Sequence, residues 1–377
     1  MDAKALLQER LELFHNAFKF KQNKRVPLYG NFFTWKVLDA GYKLSEVLYD
    51  NDLMEKVVVE FHERYNYDIY FDLGTRNPLR IAKEMGRTFH YIGETDETVQ
   101  VNDYHLLERD EFKEFAANPM GAYFTKVLKN ACKPGITLSE LKSAMMQFAA
   151  FAAFNAKMTA RFANEFGIPP LYKGLGGNPF EAFFGTLRGI KGLALDIRKC
   201  KDELKEAMDA LFELRGAPNL ITPVDGTGFV ADFFTAFLGH SILSVKQFEE
   251  LYWPYVKRIV DFAVEHNKTI FVFCESTMLR FAEFFQDIPK GIMLIHIEQD
   301  NIFEFRKKLP NIAVAGGMPI DLLGYGTKEQ CIDHAKELID TLGEGFVLSQ
   351  DKMISYRNDA KRENLLAVND FARNYQI

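Results

Sequence analysis

The sequence predicts an α/β protein of consecutive βα units, a parallel sheet or (β/α) barrel arranged around one site. Three observations predict it. Thr269–Glu275 (TIFVFCE) carries a continuous apolar run, Ile270 to Phe273, the pattern of a strand buried on both faces. That strand and three later ones each deliver polar or glycine residues at the same end. TIFVFCE stops at Cys274 and Glu275, and Gly291–Ile297 runs into Glu298 and Asp300. Asn311–Ala315 runs into Gly316, Gly317 and Pro319, and Gly345–Leu348 into Ser349, Gln350 and Asp351. In parallel α/β folds those C-terminal strand ends face the ligand. Finally, helical patterns separate the strands, and 377 residues accommodate one decorated barrel, which needs about 250.

The elements follow in order. Residues 3–18 have helical periodicity through Leu6, Leu7, Leu11, Phe14 and Phe18. The basic stretch Lys19–Arg25 reads as a solvated connector, and Pro27–Trp35 as extended and aromatic. Asp50 or Asn51 can cap a helix over Leu53–Tyr65. It leads into Tyr67–Leu73 (YDIYFDL), the candidate first barrel strand, which ends at Asp72 before the polar loop Gly74–Pro78. Thr88–Ile92 and Thr98–Val101 flank GETDE and predict a β-hairpin inserted over the barrel mouth.

Thr137 and Glu140 form a T-x-x-E capping box. The helix they start can run to Phe166 and stop at Gly167, before Pro169–Pro170. Lys173–Pro179 (KGLGGNP) could cradle a phosphate at a helix start. Its spacing matches neither a P-loop nor a dinucleotide fingerprint, and no strand clearly precedes it, which favours a lid or a connector. Helices over Pro179–Ile190 and Lys201–Leu214 come next, then a strand candidate, Asn219–Val224, ending at Asp225. Val230–Leu238 is an apolar run closing at His240, and helix Val245–His266 returns the chain to TIFVFCE.

Composition narrows the function classes. A net charge of −6 offers no basic footprint for nucleic acid or a membrane surface. No apolar run reaches the ~20 residues that span a bilayer. Cys132, Cys200, Cys274 and Cys331 form no CxxC pair, and no signal peptide is evident, which suits a reducing cytoplasm. The 35 phenylalanines are either bulky core or the walls of an apolar cavity for a flat substrate.

Each candidate site residue has two readings. Cys274 is a metal ligand or a small core residue. Glu275 is a functional carboxylate, or it belongs to a salt bridge or helix cap. Phe271, Phe273 and Phe281 would surround it and favour its protonated form. Asp72 and Asp351 stand at strand ends in the same way, and His240 is either functional or a satisfied half-buried histidine. His296 could point outward to a helix. Gly316 and Gly317 allow close backbone approach at the barrel rim, for packing or for a ligand.

Several segments resemble the uroporphyrinogen decarboxylase superfamily, and within it the corrinoid-linked methyltransferase branch. They are SVKQFEELYWPYVKRIVDF (Ser244–Phe262), FCEST (Phe273–Thr277), FFQDIPKG (Phe284–Gly291), GGMPIDLLGYGTKEQ (Gly316–Gln330) and DAKRENLLAV (Asp359–Val368). PFEAFFGTLRG (Pro179–Gly189) and the strand ending at Asp72 are similar more loosely. The resemblance implies a (β/α)8 barrel, here over residues 67–377, with an N-terminal helical extension over 1–66.

The family divides by chemistry. Decarboxylases carry an arginine-rich N-terminal motif for a polycarboxylate, whereas Pro27–Gly41 (PLYGNFFTWKVLDAG) holds no arginine. Their late glycine–histidine motif is also replaced, by SQDKMI at Ser349–Ile354. Thiol-specific methyltransferases hold zinc with a His-x-Cys pair and a late cysteine. Cys274 keeps one of those positions, Val272 replaces the histidine, and SQDK offers no cysteine. Members acting on methyl ethers or methylamines often place a glutamate at this strand end, as Glu275 does.

The resemblance therefore implies a cytoplasmic methyltransferase acting with a corrinoid protein on a small methylated substrate, possible as a homodimer. Glu275 and Asp72 are the catalytic candidates. His240, Gly316, Gly317 and Phe273 are the substrate-binding candidates, and Cys274, Glu275 and Asp351 would hold any metal, zinc included. Decarboxylation and a non-catalytic corrinoid- or tetrapyrrole-binding barrel are the alternatives.

Overall fold

The computed structural model describes residues 2–73, 84–86, 90–102, 105–217, 220 and 228–377. Its strands are β1 (Leu28–Gly30), β2 (Ile69–Tyr70), β3 (His90–Ile92), β4 (Val99–Val101), β5 (Tyr172–Leu175), β6 (Ala231–Phe237), β7 (Ile270–Cys274), β8 (Met293–Ile297), β9 (Ala313–Met318) and β10 (Phe346–Gln350). β3 and β4 pair as the expected antiparallel hairpin. The other eight form one parallel sheet in the order β2-β1-β10-β9-β8-β7-β6-β5. Sequence neighbours are therefore spatial neighbours, and the first strand pairs with the last, as a (β/α)8 barrel requires. The seam lies between β2 and β5. No ladder joins them among the described residues, and aromatic rings from both sides meet on Phe234 of β6. Phe71 packs on Phe234 with ring centroids 5.6 Å apart and on Phe273 at 4.7 Å, and Tyr172 packs on Phe234 at 4.8 Å.

Side-chain alternation along each strand sorts two cores. On β7, Ile270, Val272 and Cys274 join the outer core against the helices, while Phe271 joins the barrel interior and Phe273 stacks there on Phe71 and His296. The interior also holds Tyr29, Ile69, Leu294, Ala313, Ala315 and Val347. Helix Ala3–Phe18 closes it from below, contributing Leu11, Phe14, Ala17 and Phe18. Asp2 caps that helix by accepting from the Lys4 N–H.

A buried ion cluster locks this floor. The Asp68 carboxylate, which precedes β2, accepts from both Arg25 nitrogens at 2.7 and 2.9 Å, Arg10 Nε at 3.3 Å, Arg373 at 3.4 Å and the Leu28 N–H at 2.9 Å. The arginines overcome the cost of burial and hold the Asp68 pKa at about 2. The stretch expected to be a solvated connector thus turns one cation, Arg25, inward.

Other expectations need correction. The sheet begins at β1, inside the 1–66 segment, and the strand expected to open the barrel is its second. Pro27–Trp35 hides that first strand because its ladder is only three residues long. The third strand, β5, occupies the start of KGLGGNP; its half-polar YKGL pattern conceals it, and the loop is the turn into the next helix. Helix Val245–His266 is two helices, Val245–Leu251 and Trp253–Glu265, because Pro254 starts a new one. The loop Gly74–Pro78 and the strand candidate Asn219–Val224, apart from Leu220, lie outside the described residues. The helix Leu138–Phe166 matches its expected limits, with the Thr137–Glu140 box formed and Gly167 in the left-handed conformation at φ 63°.

Candidate functional site

A cavity of about 580 Å³ opens at the C-terminal strand ends beside the β2–β5 seam. Phe71, Tyr172, Phe229, Phe234 and Phe273 supply its aromatic walls, and Phe151 of helix Leu138–Phe166 adds another. Asp72 and Glu275 both line it, so the two catalytic candidates share one end of the barrel and one cavity. Strand direction explains this: Glu275 directly follows β7 and Asp72 lies two residues past β2, both at C-terminal strand ends. The volume falls within the ~300–1,000 Å³ of small-molecule pockets.

Glu275 follows Cys274 by one residue, so the two side chains leave β7 on opposite faces. Glu275 lines the cavity and is exposed, and the apolar burial expected around it is not there. Phe271 lies deeper in the barrel and Phe281 lies in the outer core. The Glu275 N–H donates to the Phe237 carbonyl at 3.0 Å, which ties the end of β7 to the end of β6. Phe273 lies between Phe71 and the His296 ring, stacked on the latter at 5.4 Å and 12°.

The remaining candidates lie elsewhere. Cys274 packs outside the barrel, with Sγ 3.8 Å from His240 Nε2 and 3.8 Å from Met278 Sδ. Burial pushes its thiol pKa well up, and Asp300, Glu298, Glu181 and Glu275 add to that push. His240 is fully buried, and burial lowers its pKa to about 4. It faces Cys274 rather than the cavity, so it is not in reach of a ligand there. Asp351 accepts from the Ile320 N–H at 3.0 Å, the Lys352 N–H at 2.7 Å and Lys352 Nζ at 2.9 Å, which makes it a loop and helix-start clamp. Gly316 and Gly317 sit inside β9 at φ 124° and 93°. A Cβ on Gly316 would meet the Ile297 carbonyl at 2.8 Å, and one on Gly317 would meet Leu338 at 2.8 Å. Both serve packing, and neither lines the cavity.

The proposed metal set is therefore not brought together. Cys274 and Glu275 face opposite ways, Asp351 is engaged, and no group of three His, Cys, Asp or Glu side chains is placed to hold a metal among the described residues. The same alternation puts Val272 and Cys274 on the outer face, away from a site at the barrel mouth. His296 is likewise corrected: it points into the barrel, donates from Nε2 to the Gln350 carbonyl at 2.8 Å, and burial lowers its pKa to about 4. Glu298 accepts from the Ser276 N–H at 2.6 Å, and Asp300 accepts from Met278 and Leu279 N–H at 2.5 and 3.0 Å. These two acids pin the loop after β7.

Sequence reasoning missed Glu181. It lies in the first turn of the helix after β5, and its carboxylate accepts from the Leu238 N–H at 3.0 Å, the Gly239 N–H at 3.1 Å and the Tyr252 hydroxyl at 2.5 Å. Burial raises its pKa to about 7 against the pull of those donors, and the charge of Glu275 raises it further. The signal was present in PFEAFFGTLRG, an acid one turn past a strand end, but the strand before it was not legible.

Residues 185–375 match the family model described as uroporphyrinogen decarboxylase (URO-D). No curated protein matches the chain. Among solved structures, a methyltransferase from Methanosarcina mazei superposes with a TM-score of 0.65 at 16% identity, over 99% of this chain and 98% of that one. At that identity the likeness is one of fold.

Proposed function

Because this chain belongs to the uroporphyrinogen decarboxylase (URO-D) family, we propose that it is a methyltransferase. It would move a methyl group between a small methylated substrate, of methyl ether or methylamine type, and the cobalt of a corrinoid protein. The observation that carries this reading is the pair of carboxylates, Asp72 and Glu275, on one aromatic-walled cavity. A substrate bearing several carboxylates would meet like charge there, whereas a neutral or cationic methylated compound would not. The exposure of Glu275 also suits the reading, because a docked corrinoid protein must reach the reacting methyl group from outside the barrel.

The corrinoid supplies the nucleophile for the methyl carbon. The protein's part is to hold the substrate and stabilise the departing heteroatom. Phe71, Phe234 and Phe273 bind the apolar body and exclude water. Glu275 donates a proton to the heteroatom, or hydrogen-bonds it, as the bond to the methyl carbon breaks and its electron pair stays on the heteroatom. Zinc has no part in this reading, because Cys274, Glu275 and Asp351 do not converge.

The test follows the loss of cob(I)alamin absorbance with a panel of methyl ethers and methylamines. Glu275→Gln should keep substrate binding but lower the transfer rate on the order of a hundredfold, within the range of general acid catalysis. A variant with wild-type rate would remove Glu275 from the chemistry. No transfer from any donor, with release of CO2 from uroporphyrinogen, would replace methyl transfer by decarboxylation.

A further inference from the structure

The wall of the cavity has a polar backing that the reading above does not use. Behind Phe273 lies the His296 ring, stacked on it at 5.4 Å, and Tyr29 packs edge to face on the same imidazole at 5.7 Å. His296 on β8, Asn31 just past β1 and Ser349 on β10 are each at most 1% exposed. Three of their polar atoms, His296 Nδ1, Asn31 Oδ1 and Ser349 Oγ, have no hydrogen-bond partner among the described residues. Gln350 ties the three residues together. Its carbonyl accepts from His296 Nε2 at 2.8 Å, its side-chain oxygen accepts from the Asn31 N–H at 3.0 Å, and Ser349 is its chain neighbour. The wall beside them carries little bulk. Ala315 pairs with His296 and Gly317 with Ser349, and a Cβ on Gly317 would lead outward to Leu338. A buried polar atom without a partner is costly, and three in one stretch of core call for a shared one.

We propose that this stretch of the barrel interior is an internal water site, where ordered water bonds His296 Nδ1, Ser349 Oγ and the open end of the Asn31 amide. The chemistry of the three groups selects water. His296 Nε2 donates to a carbonyl and burial keeps the ring neutral at neutral pH, so Nδ1 can only accept. The Asn31 amide nitrogen lies 3.4 Å from His296 Nε2, which sets two donors face to face unless the amide is turned over. In one orientation the amide offers the site its oxygen, and in the other an N–H. Ser349 can donate or accept. Water satisfies both cases, because it gives two hydrogen bonds and takes two. An ion does not fit. All three groups are uncharged, and no group of three His, Cys, Asp or Glu side chains stands ready for a metal among the described residues. The bond to Nδ1 fixes the imidazole on which Phe273 lies, so the water backs the cavity wall from inside the barrel. The inference uses no part of the methyl-transfer reading.

The test is a crystal structure of the full chain at a resolution that shows ordered water, with no methyl donor or corrinoid added. Water should lie within about 3.2 Å of His296 Nδ1, of Ser349 Oγ and of the Asn31 amide. No water between these atoms, or the same atoms bonded to protein groups instead, would overturn the inference. Oxygen-17 relaxation dispersion repeats the test in solution, since it counts waters held inside longer than the protein tumbles. Ser349→Val, which brings methyl groups into the site, should hold at least one such water fewer than wild type, with an unchanged near-UV spectrum. An equal count in the folded variant would also overturn the inference, and if Ser349→Val does not fold, the wild-type crystal decides.

Discussion

Replacing Asp68 by asparagine keeps its shape and removes the charge that three arginines share. The cost can be worked from the structure. Asp68 and Arg10 are both fully buried, so Asp68→Asn leaves Arg10 in the floor of the barrel with no counter-charge. Breaking a buried pair from one side costs about 3–5 kcal/mol. Linkage gives an independent figure. Folding lowers the Asp68 pKa from 3.8 to about 2, which corresponds to roughly 2–3 kcal/mol at about 1.4 kcal/mol per unit. The sign is that of a depressed acid. The contribution is fully present above the unfolded pKa near 3.8 and is lost as pH falls through about 2. Urea denaturation at neutral pH should therefore show a loss of about 3 kcal/mol in Asp68→Asn. The wild type should lose stability steeply between about pH 4 and pH 2, and the variant less so. A variant within about 1 kcal/mol of wild type, with the same acid limb, would show that the cluster is an onlooker and that the floor is held by Leu11, Phe14 and Phe18 alone.

Cys274→Ala should change the methyl-transfer rate less than about twofold, against the large loss expected for Glu275→Gln, because the thiol faces the outer core. In the native enzyme the same thiol should react slowly with aromatic disulfides, and fast native labelling would contradict its burial and its raised pKa. Gly316→Ala should lower the urea midpoint by an amount worth about 1–3 kcal/mol, since φ 124° and the Ile297 carbonyl both resist a Cβ. An unchanged midpoint would mean that β9 can relax there.

The later strands were readable because they are long apolar runs that stop abruptly. β7 and β8 are buried at every position, and such runs need no partner information to be seen. β1 and β5 went unseen, and β2 was seen but ranked first rather than second, for the opposite reason. They hold two to four residues each, and their ladders depend on neighbours far along the chain. The site divided in the same way. Asp72 and Glu275 follow from strand direction alone. The faces of Cys274 and His296 depend on register, where a shift of one residue exchanges core and cavity. Glu181, Glu298 and Asp300 owe their roles to backbone amides on other elements, which leave no trace in residue spacing.

The gap between β2 and β5 bears on how the barrel handles substrates of different girth. A closed hydrogen-bonded hoop has a fixed circumference, and widening it anywhere breaks a ladder. Here the cavity lies beside the gap where no ladder joins β2 to β5 among the described residues, and where Phe71 and Tyr172 both pack on Phe234 of β6. Rings that meet face to face or tilted can slide by a fraction of an ångström and still touch, because dispersion falls off gradually and carries no directional demand. A wall packed in this way can widen without breaking a ladder. β7 and Glu275 sit on the laddered side, and Phe71, just past β2, sits on the ring-packed side, so widening there would leave the backbone that carries Glu275 in place.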